Sequence, residues 1–165
     1  MLVRKGNPLG ISALSDVVRA GARIALPDSG NVRAKCRAAA DDLLGKPTAD
    51  AFFAAEVPSF PGRLGIMHRD LPEMVARAYV DVAFTWYHLV SYWAQTFPNH
   101  FEFVAVPGAE PFFTKIALAR VNNPPRSGAT KAFDEFFFSR ARDVYPQYDF
   151  ARMNDDEFGA TLGLG

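Results

Sequence analysis

Short apolar runs alternate along this chain with longer segments whose apolar residues recur at helical spacing. Residues 22–26 form one such run, which ends at Pro27; a Ser/Gly/Asn turn follows, and small or apolar residues then mark one helical face from Val32 to Leu43. The β-branched and aromatic run 80–86 also lies between two helical patterns. This alternation predicts an α/β fold of three layers, in which helices flank both faces of a mostly parallel sheet.

The same patterns predict the other elements of the fold. Further strands are predicted over residues 2–4, 101–106 and 114–121, and further helices over 11–18, 68–78, 87–95 and 129–139. Residues 48–62 are too irregular to assign, and residues 144–150 form a short closing segment.

Composition narrows the functional classes. The 165 residues suffice for one domain or for two small lobes, and 49% of them are hydrophobic. The 18 basic and 18 acidic residues balance, so the charge gives no reason to expect a nucleic-acid partner. The single cysteine, Cys36, excludes an internal disulfide and a cysteine-rich metal site. The first residues turn polar too early for a signal peptide, and no run is long enough to span a membrane.

Three turns that precede helices carry hydrogen-bond donors. Where such a turn follows a strand of an α/β protein, the unpaired N–H groups of the next helix point at a crevice and suit an anion. The candidate ligand-binding residues at the three turns are Ser29, Gly30, Asn31, His68, Arg69, Thr85, Trp86 and Tyr87. Each turn also has a simpler interpretation, because Asp28, Ser29, Asn31 and Asp70 suit helix caps, and aromatic residues at strand ends often belong to a core.

No catalytic motif accompanies these turns. The sequence lacks the nucleophile elbow, the phosphate-binding loops and the zinc-protease helix motif, and the spacings of its three histidines fit no familiar metal site. Donors without an evident catalytic base suit recognition better than reaction. We therefore expect a binding protein that is not an enzyme and has no cofactor and no metal.

The order of the elements resembles the molybdate-binding-like periplasmic solute-binding proteins. Residues 2–8 (LVRKGNP), 11–16 (ISALSD) and 22–28 (ARIALPD) are similar to consecutive motifs of that family. Residues 67–86 look like its helix followed by a strand that ends in tyrosine, where Trp86 stands here. Residues 116–139 resemble its closing strand, Asn-Pro turn and phenylalanine-rich helix. Each motif is degenerate, so the resemblance depends on their order over most of the chain.

The resemblance implies a type II periplasmic-binding-protein fold with two lobes and the ligand between them. It assigns residues 1–20 to a hinge strand and first helix that remain from lobe 1, residues 21–100 to lobe 2, and residues 101–153 to a return to lobe 1 with the C-terminal helix. Residues 154–165 are expected to be a flexible tail. The N-terminal part of the family, with its signal peptide and early ligand-binding serines, is missing from this sequence.

The function that the resemblance implies is uptake of a small anion. The chain is expected to lie in the periplasm, to bind a molybdate- or tungstate-like oxyanion, and to deliver it to an ABC transporter permease. An incomplete first lobe would leave Phe133, Phe136 and Phe137, which should face inward, with too little packing. We therefore expect that the chain is a fragment, that its start is wrongly assigned, or that it forms a homodimer which restores the packing. Two alternatives stay open: the ligand-sensing domain of a transcription regulator, and an enzyme that uses His68 with Asp70 or Asp81.

Overall fold

The computed structural model describes residues 1–58, 67–109, 122 and 127–148. The chain forms two compact units, Met1–Lys115 and Ile116–Gly165. The predicted strand over 114–121 and the expected tail from residue 154 lie outside the described residues.

The first unit contains a four-stranded sheet with the order β2-β3-β1-β4. Its strands are β1 (Leu2–Arg4), β2 (Ile24–Ala25), β3 (Val82–Ala83) and β4 (Phe101–Phe103). β2 pairs with β3 in parallel, with Ile24 opposite Val82, whereas β1 is antiparallel to both β3 and β4. The sheet is therefore mixed, and the expectation of a mostly parallel sheet is wrong for the strands that the structure describes.

The position of β1 explains this correction. β2, β3 and β4 are joined to one another through helices and point in the same direction, as the alternation of strands and helices predicts. β1 is also joined to β2 through a helix, Leu14–Arg19, but it lies between β3 and β4 in the opposite direction. Since hydrophobic periodicity sets only which face of a strand is buried, it contains no information about the direction of β1.

Five helices belong to the first unit and one to the second, among the described residues. They are α1 (Leu14–Arg19), α2 (Gly30–Leu44), α3 (Lys46–Ala54), α4 (Met67–Ala76), α5 (Tyr87–Thr96) and, in the second unit, α6 (Ser127–Val144), which a short 3-10 helix follows (Tyr145–Tyr148). Sequence analysis did not predict α3. Gly45, at φ 74°, ends α2, and Pro47 lies in the first turn of α3, so the two residues mark a corner between helices.

Helices cover both faces of the sheet, as predicted. On one face Val3, Ile24 and Val82 pack with apolar residues of α1, α2 and α3. On the other face Leu2, Ala25 and Ala83 pack with residues of α4 and α5, including Met74, Val75 and Val90. Neighbouring residues of β1, β2 and β3 thus point to opposite clusters, which is why these central positions are apolar, whereas in β4 the charged Glu102 lies between Phe101 and Phe103.

One carboxylate joins three strands at the edge of the sheet where β2 and β3 begin. Asp81 accepts hydrogen bonds from Nε and Nη2 of Arg23, both at 3.0 Å, and from the Arg23 backbone N–H at 3.0 Å. Arg4, the last residue of β1, donates to the same carboxylate at 3.3 Å and to the Val80 carbonyl at 3.1 Å. The interaction aligns β1, β2 and β3 because each arginine is fixed to the residue that precedes β3.

The second unit differs from expectation in the orientation of its aromatic residues. Phe133 and Phe136 of α6 are 56% and 65% exposed, so the prediction that they face inward is wrong. Phe137 is half-buried and stacks on Phe133, with ring centroids 5.8 Å apart.

We predict that Asp81→Asn destabilises the first unit by about 1–2 kcal/mol, because the amide cannot match the charged bonds to two arginines. Urea unfolding measures the change, and Asp42→Asn, the same substitution at an exposed aspartate of α2, serves as the control. Equal stability of the two variants would contradict the role given to Asp81.

The loss of stability in Asp81→Asn should also depend on pH. Burial raises the pKa of Asp81, but hydrogen bonds from Arg23 and Arg4 outweigh it and leave the pKa below the usual 3.8. A carboxyl group whose pKa is lower in the folded state than in the unfolded state stabilises the protein at pH values above its unfolded-state pKa. This stabilisation is lost as the pH falls through the folded-state pKa. The difference between wild type and Asp81→Asn should therefore shrink as the pH is lowered from 6 to below about 3.

Candidate functional site

Parallel pairing of β2 and β3 brings two of the predicted turns to the same edge of the sheet. The pairing continues beyond β3, since the Phe84 N–H donates to the Ala25 carbonyl at 3.0 Å. The turn from Leu26 to Asn31 and the turn from Phe84 to Tyr87 therefore leave the sheet side by side. Their neighbouring positions could not be derived from spacing along the chain, because more than fifty residues separate them.

A third segment runs parallel to β2 on its other side. The Ile24 N–H donates to the Ala55 carbonyl at 3.0 Å, and the Val57 N–H donates to the Ile24 carbonyl at 2.8 Å. The segment after α3 thus ends at the same edge, where it brings Glu56 and Pro58 next to the turn after β2. We refer to this edge, at the carboxyl ends of β2 and β3, as the carboxyl edge.

Two helices begin at the carboxyl edge without a side-chain cap. Ser29 is the N-cap of α2 and Trp86 is the N-cap of α5, and neither makes a side-chain capping hydrogen bond. The interpretation of Ser29 as an ordinary capping hydroxyl is therefore not supported. The first N–H groups of a helix have no partner within it, so both helices present donors and the positive ends of their dipoles at this edge.

The other predicted residues of these turns differ in exposure. Gly30 and Asn31 are exposed in the first turn of α2, and Trp86 is half-buried. Tyr87 is 41% exposed, and its ring packs edge-on against Phe103 with centroids 4.8 Å apart. The Tyr87 ring thus supports α5 on the sheet as well as lying at the candidate site.

Thr85 lies between the end of β3 and the start of α5. Its hydroxyl oxygen is buried and has no hydrogen-bond partner within the part of the chain that the structure describes. A buried hydroxyl without a partner is uncommon in folded proteins and costs free energy, typically about 1–3 kcal/mol. This hydroxyl is therefore a candidate hydrogen-bonding group for a bound molecule.

α4 carries the third predicted turn. It packs against β1 and β3, and its last turn bonds to the segment before β3, with the Tyr79 N–H donating to the Met74 carbonyl at 2.9 Å. Since α4 ends at the opposite edge, its N-terminus points towards the carboxyl edge. Burial, and then the charge of His68, lower the pKa of His88 in the first turn of α5, which indicates that the two N-termini are close. His68 and Arg69 are both exposed there.

A pocket of about 470 Å³ lies on the outer side of β2 at the carboxyl edge. Its lining residues are Asp28, Arg33, Phe53, Glu56 and Pro58. Arg33, in the first turn of α2, donates from Nη1 and Nη2 to the two oxygens of Glu56 at 2.7 and 2.6 Å. The hydrogen bonds with Glu56 raise the pKa of Arg33 and hold the guanidinium against this carboxylate.

Sequence analysis missed this pocket. Arg33 and Glu56 are 23 positions apart, and Glu56 falls in the stretch that could not be assigned. Their only sequence signal is that each charged residue adjoins an apolar one, Arg33 after Val32 and Glu56 before Val57.

Two further findings concern alternative chemistries. Burial raises the pKa of Cys36 to about 11, which leaves the thiol protonated and poorly nucleophilic at neutral pH. Within the described ranges, no group of three or more histidine, cysteine or acidic side chains is arranged to hold a metal ion.

Comparison with known proteins identifies the family. The chain belongs to the bacterial extracellular solute-binding proteins, because the model of that family matches residues 1–144. No curated protein matches the sequence. The resemblance to solute-binding proteins is therefore confirmed at the level of the family, while the molybdate-like subtype stays a prediction. Among the described residues, none of the helices combines the length and apolar character needed to cross a bilayer.

We predict that Thr85→Val keeps or raises the stability of the ligand-free protein, by up to about 1 kcal/mol, since it replaces an unpaired buried hydroxyl with a methyl group of the same shape. Thermal unfolding in ligand-free buffer measures the effect. Thr96→Val, at an exposed position of α5, is the matched control. Clear destabilisation by Thr85→Val alone would mean that the hydroxyl already has a partner.

Proposed function

We propose that this protein binds the acid group of a small solute at the carboxyl edge and delivers the solute to an ABC transporter permease. The observation that carries the proposal is the buried Thr85 hydroxyl, which has no hydrogen-bond partner among the described residues and lies between the end of β3 and the uncapped start of α5. The family match supports the general role in solute binding. The periplasm is the proposed location.

The donors of the proposed site come mostly from uncharged groups. Backbone N–H groups at the starts of α2 and α5 are oriented by their helices before any ligand arrives, so they bind an anion without losing side-chain entropy. The Thr85 hydroxyl and the Trp86 indole are uncharged donors at the same edge, and His68 and Arg69 extend the set from α4. The solutes that suit these donors are tetrahedral oxyanions, such as molybdate and tungstate, and small carboxylates.

We propose recognition without turnover, and no cofactor, for this edge. The groups around Thr85 and the start of α5 are donors that hold an acid group in place, and the mechanism needs no bond to form or break. The two-lobe organisation, with residues 21–100 as lobe 2, is part of the same proposal. Closure of lobe 1 onto lobe 2 would cover the open side of the ligand.

A ligand titration tests the proposal. The melting temperature of wild type and Thr85→Val is measured against molybdate, tungstate, sulfate, phosphate and a series of small carboxylates. We expect at least one solute to raise the melting temperature of wild type by mass action, equivalent to about 2.7 kcal/mol at one hundred times its dissociation constant. Thr85→Val should bind that solute about tenfold more weakly, because one hydrogen bond of about 1.4 kcal/mol is lost.

Thr96→Val should bind as wild type does and so controls for a general effect of replacing threonine. If none of the solutes shifts the melting temperature, or if Thr85→Val binds as well as wild type, the proposed site is wrong.

The homodimer that sequence analysis predicts is tested separately. The exposed side chains of Phe133 and Phe136 are its proposed contact, because apolar surface of this size favours association. Sedimentation velocity should show a dimer for wild type and a monomer for the double variant Phe133→Ser, Phe136→Ser. Tyr92→Ser, which removes an exposed aromatic ring from α5, should leave the dimer intact. A wild-type monomer at 100 µM, about a hundred times a micromolar dissociation constant, would contradict the prediction.

A further inference from the structure

The pocket beside β2 contains one carboxylate that the fold does not use. Asp28 is exposed at the end of the turn after β2, and no hydrogen bond or ion pair joins its side chain to another described residue. The other acid of the pocket, Glu56, has both oxygens bound to Arg33. Asp28 is thus the available hydrogen-bond acceptor of the pocket.

The charges of the pocket do not favour a dianion. Glu56 neutralises Arg33 through two short, parallel hydrogen bonds, so the guanidinium is not available to a ligand without breaking that pair. The charge of Asp28 also interacts with Arg33, and the formal charges of Asp28, Arg33 and Glu56 together leave the pocket one net negative charge. A full anion bound inside the pocket would meet repulsion from the Asp28 carboxylate.

Thr85 and the start of α5 lie on the other side of β2, away from the pocket, and have no such carboxylate among the described residues that adjoin them in sequence. The carboxyl edge therefore offers donors at one end and an acceptor at the other. Neighbouring strands are about 4.8 Å apart, so a solute that reaches from the end of β3 across β2 to the pocket spans about 5–10 Å.

Resting on the proposed function, we propose that the solute is a zwitterion, whose acid group binds at Thr85 and the start of α5 and whose ammonium group binds to Asp28 in the pocket. Phe53 and Pro58 form the apolar walls that would contact its carbon chain. A carboxylate acceptor discriminates strongly in favour of solutes with an N–H donor, because a solute without one leaves the acceptor desolvated and unpaired. The solute class is that of small amino acids whose acid and amino groups are separated by several bonds.

The test compares each amino acid with its deaminated analogue. Unbranched ω-amino carboxylates of two to six carbons, and the corresponding carboxylates, are titrated by calorimetry into wild type, Asp28→Asn and Asp42→Asn. We expect at least one amino acid to bind wild type about tenfold or more tightly than its analogue. Asp28→Asn should reduce that preference to about twofold or less, while Asp42→Asn, which removes the charge of an exposed aspartate in α2, keeps it. Thermal unfolding without ligand checks that both variants are folded.

Failure of this inference is distinguishable from failure of the proposed function. Tighter binding of molybdate or sulfate than of any amino acid, with Thr85→Val still weakening it, would overturn the zwitterion and keep the acid-binding site. An amino-acid preference that survives Asp28→Asn would overturn the role of Asp28. Absence of binding by every solute in both series and by the oxyanions would overturn the site itself.

Discussion

The hydrogen bonds between Asp81 and the arginines of β1 and β2 determine how the first unit is assembled. Strands of two or three residues have few ladder hydrogen bonds of their own, so charged bonds at one end contribute a large share of their alignment. With β2 and β3 aligned at their first residues, their last residues end together at the carboxyl edge. The candidate site is therefore positioned from the opposite edge of the sheet, by residues that take no part in binding.

The alternating pattern of the chain predicted most elements because both periodicities are strong here. α2 and α5 begin where a turn follows an apolar run, and the two helix-covered faces follow from the apolar residues of β2 and β3, which are buried on both sides. The direction of β1 and the existence of α3 could not be predicted, since the first depends on pairing with distant strands. The second was concealed because Gly45 and Pro47 usually end a helix and here join two.

The candidate site, like the fold, could be predicted from the sequence only where the signal is local. Sequence analysis identified the turns because helix starts have local signals, and the structure shows that two of them lie side by side through β2 and β3. It could not identify Glu56 as the partner of Arg33, because an ion pair between distant segments leaves no periodic trace. The unpaired state of the Thr85 hydroxyl was equally inaccessible, since it depends on what surrounds the atom in three dimensions.

The corner at Gly45 makes the pocket sensitive to a residue that lines no part of it. A φ of 74° is readily adopted by glycine and strained for other residues, and this corner sets how α3 folds back beside α2. Arg33 belongs to α2, whereas Phe53 and Glu56 lie in and just after α3. A substitution at position 45 would therefore alter the distance between the two walls of the pocket while every lining residue stayed the same. Binding preference among related proteins can thus change first at a residue that does not touch the solute.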